Sequence, residues 1–171
     1  MDFHERIEAD ENALQKLVKQ IPGFGGYFEQ ENRRAADKLL REHLVEQMGE
    51  TIEEVEKVAG SWSRAAKLDL IDDLERVAGR LGRAADKLRF ADYGYTGFFD
   101  AVKIGEDDLQ RFYEYDLSLR QFIADVNEQV SELAAVGDHE TAKALEKLDE
   151  AIESLAEMIE ERERVAAELA P

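Results

Sequence analysis

The stretch LIDDLERVAGRLGRAADKLRFADYGY, residues 70–95, decides the fold. Its apolar side chains fall at Leu70, Leu74, Val77, Leu81, Ala84, Leu88, Ala91 and Tyr95, in alternating steps of four and three. Such spacing keeps one stripe of a helix turned toward a partner, whereas a strand needs steps of two. Three further stretches repeat the pattern: Leu40, Leu44, Met48, Ile52, Val55, Ala59 and Trp62; Leu109, Phe112, Leu119, Ile123, Val126, Val130 and Leu133; and Leu145, Leu148, Ile152, Leu155, Ile159, Ala166 and Leu169. The expectation is an all-α fold, an elongated antiparallel bundle of four long helices plus a short N-terminal helix, forming one domain over residues 1–171.

Breaker residues set the expected joints. A first helix over Asp2 to Lys19 has Ile7, Leu14, Leu17, Val18 and Ile21 on its buried side, and Pro22 with Gly23, Gly25 and Gly26 stops it. The second helix starts near Tyr27 and runs for about 35 residues, roughly 50 Å at the helical rise. Gly49 and Gly60 weaken it by about 1 kcal/mol each, too little to outweigh its stripe. A turn is expected at Ala66 to Asp69, where Asp69 caps a third helix that reaches about Tyr93, with Asp72 and Asp73 at the positive end of its dipole. Gly105-Glu106-Asp107-Asp108 opens the fourth helix, and Gly137-Asp138 separates it from the fifth. One hexapeptide, RAADKL, occurs at residues 34–39 and again at 83–88. A duplicated hairpin explains it, and so do two helices built from the same good helix formers.

Charge and composition exclude several functions. With 40 acidic against 22 basic residues the net charge is -18, which repels nucleic acid and anionic membranes. The same surface suits a salt-rich cytoplasm and selects basic protein partners. Cysteine is absent, which removes disulfides, thiol nucleophiles and thiolate zinc sites. No apolar run approaches the roughly 18 residues that span a bilayer, and the start of the chain is acidic where a signal peptide is basic. A cytoplasmic location is therefore expected.

Catalytic and metal motifs fare no better. A ferritin-like di-metal bundle needs Glu-x-x-His pairs, yet Met1, Leu40 and Val136 stand three residues before His4, His43 and His139. Gly23-Phe24-Gly25-Gly26 lacks the Lys-Ser/Thr of a phosphate-binding loop. No enzyme, cofactor or metal site is expected from these residues.

Two features remain. Seven of the thirteen Phe and Tyr residues fall between Tyr93 and Tyr115, with Tyr93, Tyr95, Phe98 and Phe99 in one glycine-broken joint and Phe24, Tyr27 and Phe28 in the other. These are either a contact patch for a partner or a plug closing one end of the bundle. Asp116 sits on the stripe between Phe112 and Leu119, and a buried carboxylate requires a cation or hydroxyl beside it. Arg89, Lys87 and the nearby tyrosines are the candidate partners. Arg162 likewise interrupts the stripe of the last helix. Arg33, Arg34, Lys38 and Arg41 form the one basic face, expected to be neutralised by Glu29, Glu31, Asp37 and Glu42 at helical spacing.

The blocks IPGFGGY at 21–27 leading into RAADKLLR at 34–41, and DYGYTGFFDAV at 92–102 leading into YEYDL at 113–117, resemble those of a family of uncharacterised helical proteins of bacteria and archaea. The similarity covers roughly residues 20–135 and carries no activity with it. It implies only that the glycine-aromatic joints belong to the family's architecture.

The resulting functional expectation is a non-enzymatic interaction or scaffolding module in which Tyr93, Tyr95, Phe98, Phe99, Phe24 and Tyr27 meet a protein partner. Self-association into a homo-oligomer is compatible with stripes this long. The alternative is a carboxylate-based binder of metal ions or cationic ligands, with Asp116 among its ligands.

Overall fold

The computed structural model describes residues 13–29, 33–91 and 105–169, and these are all-helical, with no strand among the described residues. The helices are α1 (Ala13–Gln20), α2 (Phe24–Glu29), α3 (Arg33–Arg64), α4 (Ile71–Arg89), α5 (Glu106–Leu133) and α6 (Asp138–Leu169). A 3-10 turn, Leu68–Leu70, precedes α4.

Four long helices form a square. Helix α3 packs against α4 and α5, and α6 packs against the same two, so α3 and α6 occupy one diagonal and α4 and α5 the other. The start of α3, the end of α4, the first half of α5 and the end of α6 all meet at one end, joined by side-chain contacts of Asp37, Arg41, Asp116 and Arg162. Successive helices therefore alternate in direction. Because the step from α4 to α5 takes the diagonal, α3 lies parallel to its neighbour α5, and α4 parallel to α6. Helix α1 packs on α5 and α2 on α3.

The buried side chains are those of the stripes. On α4 they are Leu74, Val77, Leu81, Ala84 and Leu88, continuing to Ala91, and on α6 Leu145, Leu148, Ile152, Leu155, Ile159 and Ala166. A chain that binds its neighbours only through such ridges gains its helical stability from packing rather than from propensity. The 32 residues of α3 make a rod of about 48 Å.

Helix ends depart from expectation in three places. Asp69 lies within the 3-10 turn, and the residue at the N-cap of α4 is Leu70, with no side-chain capping bond. What shapes this turn is Ala66 at φ 59°, with the amide of Lys67 bonded to the carbonyl of Trp62 at 2.9 Å and that of Ala66 to Ser63 at 3.1 Å. This is the double-bonded C-terminal motif that usually takes glycine, built here on alanine. Gly25 and Gly26, expected as breakers, belong to α2, and of these glycines only Gly23, at φ 82°, uses the left-handed region. Val18 is 39% exposed instead of buried. With α1 resting on α5 as a single eight-residue helix, only the Ala13–Leu17 side of it reaches the core.

The two copies of RAADKL hold unlike positions: one opens α3 and the other closes α4. Asp37 of the first is buried, and Asp86 of the second is exposed.

Candidate functional site

The most unusual chemistry in the molecule is a charge network sealed inside one end of the bundle. Each member sits on or beside a stripe. Asp37 lies three residues before Leu40, Asp116 between Phe112 and Leu119, and Arg162 three residues after Ile159, so helical periodicity alone turns all three inward. Arg41 follows Asp37 by one turn.

The geometry is closed and nearly symmetric. Arg162 donates through Nε to Asp116 Oδ1 at 2.5 Å and through Nη2 to Asp116 Oδ2 at 3.1 Å, a bidentate grip. The same Nη2 donates to Asp37 Oδ1 at 2.7 Å, and Arg41 Nε donates to Asp37 Oδ2 at 2.8 Å. Arg41 Nη1 then reaches the carbonyl of Arg89 at 3.1 Å and, at the limit of bonding, that of Leu88 at 3.5 Å. Those carbonyls close α4, where the helix dipole is negative and a cation is favoured. Two carboxylates and two guanidiniums cancel in charge, and all four are at most 2% exposed. The Arg162 guanidinium lies 4.7 Å from the ring centroid of Phe112, which stacks edge-on with Tyr113, itself edge-on to Phe24 at 5.9 Å.

Several sequence expectations change here. The partner of Asp116 is Arg162, not Arg89 or Lys87. Arg89 is exposed and pairs with Asp86 at 3.2 Å, contributing to the network only its backbone carbonyl, while Lys87 bonds Glu160 at 2.6 Å. Arg41 and Asp37, expected on a solvated face, are buried. Phe24 is fully buried against Tyr113, so it serves the core rather than a partner surface. The backbone of Tyr27 lies in α2, whereas its side chain, like Tyr93, Tyr95, Phe98 and Phe99, falls outside the described residues. As for a cation-binding carboxylate, all four oxygens of Asp37 and Asp116 accept from arginine, which leaves none turned toward an ion. Among the described residues no three His, Asp or Glu side chains converge as metal ligands.

Burial governs the protonation of these groups. Loss of water pushes the Asp116 carboxyl up from 3.8 to about 6, opposed by Arg162 and reinforced by the charge of Asp37. Burial likewise raises the Tyr113 hydroxyl, keeping it neutral at any ordinary pH. Because the folded state holds the Asp116 proton more tightly than the unfolded chain, this group's contribution is fully present below pH 3.8 and lost as pH rises through about 6. The shift corresponds to about 3 kcal/mol. Wild-type stability, measured by urea unfolding relative to Asp116→Asn, is therefore expected to rise as pH falls from 7 to 4. A flat difference would place the Asp116 proton uptake elsewhere.

Sequence reading also passed over Phe90, which is 60% exposed at the end of α4. The signal was its register: Ala84, Leu88 and Ala91 define the buried stripe, and position 90 is off it. Leu68, 63% exposed, is its counterpart at the opposite end. Among the described residues, no helix is long and apolar enough to cross a membrane. The chain matches no family model, no curated protein and no solved structure.

Proposed function

We propose that the chain is a non-catalytic helical module that docks a protein partner at the end of the bundle where the charge network lies. The observation that carries this reading is Phe90, a large aromatic left in solvent at the C-cap of α4, next to the carbonyl of Arg89 that Arg41 holds. Aromatic side chains on preorganised supports are the usual anchors of protein interfaces, because they bring large apolar area at little conformational cost. In sequence Phe90 is followed by Tyr93, Tyr95, Phe98 and Phe99, which the proposal assigns to the same partner. A net charge of -18 favours a basic partner and speeds its encounter at low salt.

The test uses the two exposed apolar residues at opposite ends. Wild type, Phe90→Ser and Leu68→Ser are each used to capture partners from a native lysate, with thermal midpoints recorded in parallel. Both variants are expected to melt within about 2 °C of wild type, since surface substitutions change stability little. Partner capture should survive Leu68→Ser and fall at least about tenfold with Phe90→Ser, as truncating an interface anchor does. Equal capture by the two variants, or none by wild type, would remove this reading.

A further inference from the structure

One groove stands apart from the acidic character of the rest. It lies between α1 and α5, encloses about 590 Å³, and is lined among the described residues by Lys16, Lys19, Gln20, Leu117, Ser118, Arg120 and Gln121. Three cations and no carboxylate line it, in a chain where acids outnumber bases by 40 to 22. The sequence supports this segregation: no Asp or Glu occurs in residues 13–28 or 117–124, the two stretches that form the walls.

Arg120 supplies the second observation. Its Nε is shut off from solvent and has no hydrogen-bond acceptor among the described residues, whereas the Nε atoms of Arg41 and Arg162 each donate to a carboxylate. Neither Arg120 nor Lys16 has an ion-pair partner among the described residues. A buried donor without an acceptor is costly, and guanidinium is the side chain best shaped to grip a planar or tetrahedral oxyanion through paired N–H groups. Its positive field is felt as far as His43 on α3, whose pKa is lowered first by burial and then by Arg120.

We propose that the α1–α5 groove binds a phosphate-type oxyanion, either free phosphate or the phosphate of a small monoester, gripped by Arg120 with Lys16 and Lys19 supplying charge. Gln20, Ser118 and Gln121 line the rest of the groove, whose size admits more than a bare ion. The groove's α5 wall begins at Leu117, the residue after Asp116, and its other wall is the end of α1.

Isothermal titration of the full chain with inorganic phosphate, at ionic strength held constant with chloride, tests this. Wild type is expected to bind, Arg120→Gln to bind at least about tenfold more weakly, and Lys16→Gln to fall between, in line with loss of a charge-assisted pair. Thermal melting with about 10 mM phosphate should raise the wild-type midpoint and not that of Arg120→Gln, because only folded protein with the site intact gains from ligand. An equal rise in both would mark general stabilisation of the folded state by a kosmotrope excluded from its surface and would overturn the proposal. So would phosphate titrations that are flat or indistinguishable between wild type and Arg120→Gln. Repeating the titration with glycerol phosphate separates the sources: tighter binding assigns the groove to a monoester, and weaker binding to the free ion.

Discussion

Replacing Arg162 with Met lowers the stability of the bundle by about 3–5 kcal/mol, the usual consequence of stripping one partner from a buried ion pair. The reason is the count of charges left behind. Without Arg162, two sealed carboxylates share the guanidinium of Arg41, which hydrogen-bonds Asp37 rather than Asp116, and Asp116 loses both of its donors. The double variant Arg162→Met/Asp116→Leu removes one charge of each sign and leaves the Asp37–Arg41 pair at 2.8 Å intact. It should recover most of the loss or exceed wild type, since apolar replacements of buried ion pairs are often neutral or stabilising. Urea unfolding of the three proteins at pH 7 reads the result. If Arg162→Met costs less than about 1 kcal/mol, the network is hydrated and the closed arrangement described above is wrong.

Phe24→Ala is the second large effect, and its character differs. Truncating a fully buried Phe typically costs about 3–5 kcal/mol through lost contacts and the cavity left behind. Phe24 is fully buried and packs edge-on against Tyr113, so it anchors the α1–α2 segment to the four-helix square. Those two helices are eight and six residues long and too short to persist alone. Loss of the anchor should release them before the square melts. Hydrogen exchange is the discriminating measurement: amides of residues 13–28 are expected to lose protection in the variant while those of α3 to α6 keep most of theirs. Uniform loss of protection would show that the segment and the square form one cooperative unit.

How far this arrangement was legible in the sequence depends on which physical rule each part obeys. The four long helices follow from local periodicity, which is indifferent to what each helix meets, and the stripes of α4 and α6 are buried almost residue for residue. Asp116 and Arg162 were both conspicuous as charges on apolar stripes. Their mutual contact was not, because periodicity says which face is buried but not which helices become neighbours. The diagonal step from α4 to α5 is a tertiary choice, and it sets Arg162 of the second hairpin against Asp37 of the first. Asp37 and Arg41 read as a solvated, self-neutralised face rather than a buried pair for another reason. A helix start rich in both signs neutralises itself on paper at i to i+4 spacing, although Asp37 lies three residues before Leu40 and Arg41 three before Leu44, on the buried register. In α2 the glycines misled: packing of Phe24 on Tyr113 outweighs the weak helical preference of Gly25 and Gly26.

The Arg162 to Asp37 bond joins residues 125 apart in sequence, one in the first hairpin of the square and one in the second. Each hairpin can close early through local contacts, but this clasp waits until both have met in register. Its stabilisation is then felt on the escape side of the barrier: the intact clasp slows the opening of the finished bundle and leaves the speed of assembly nearly untouched. A protein latched in this way resists transient opening, and with it proteolysis, more than its midpoint of denaturation alone would suggest.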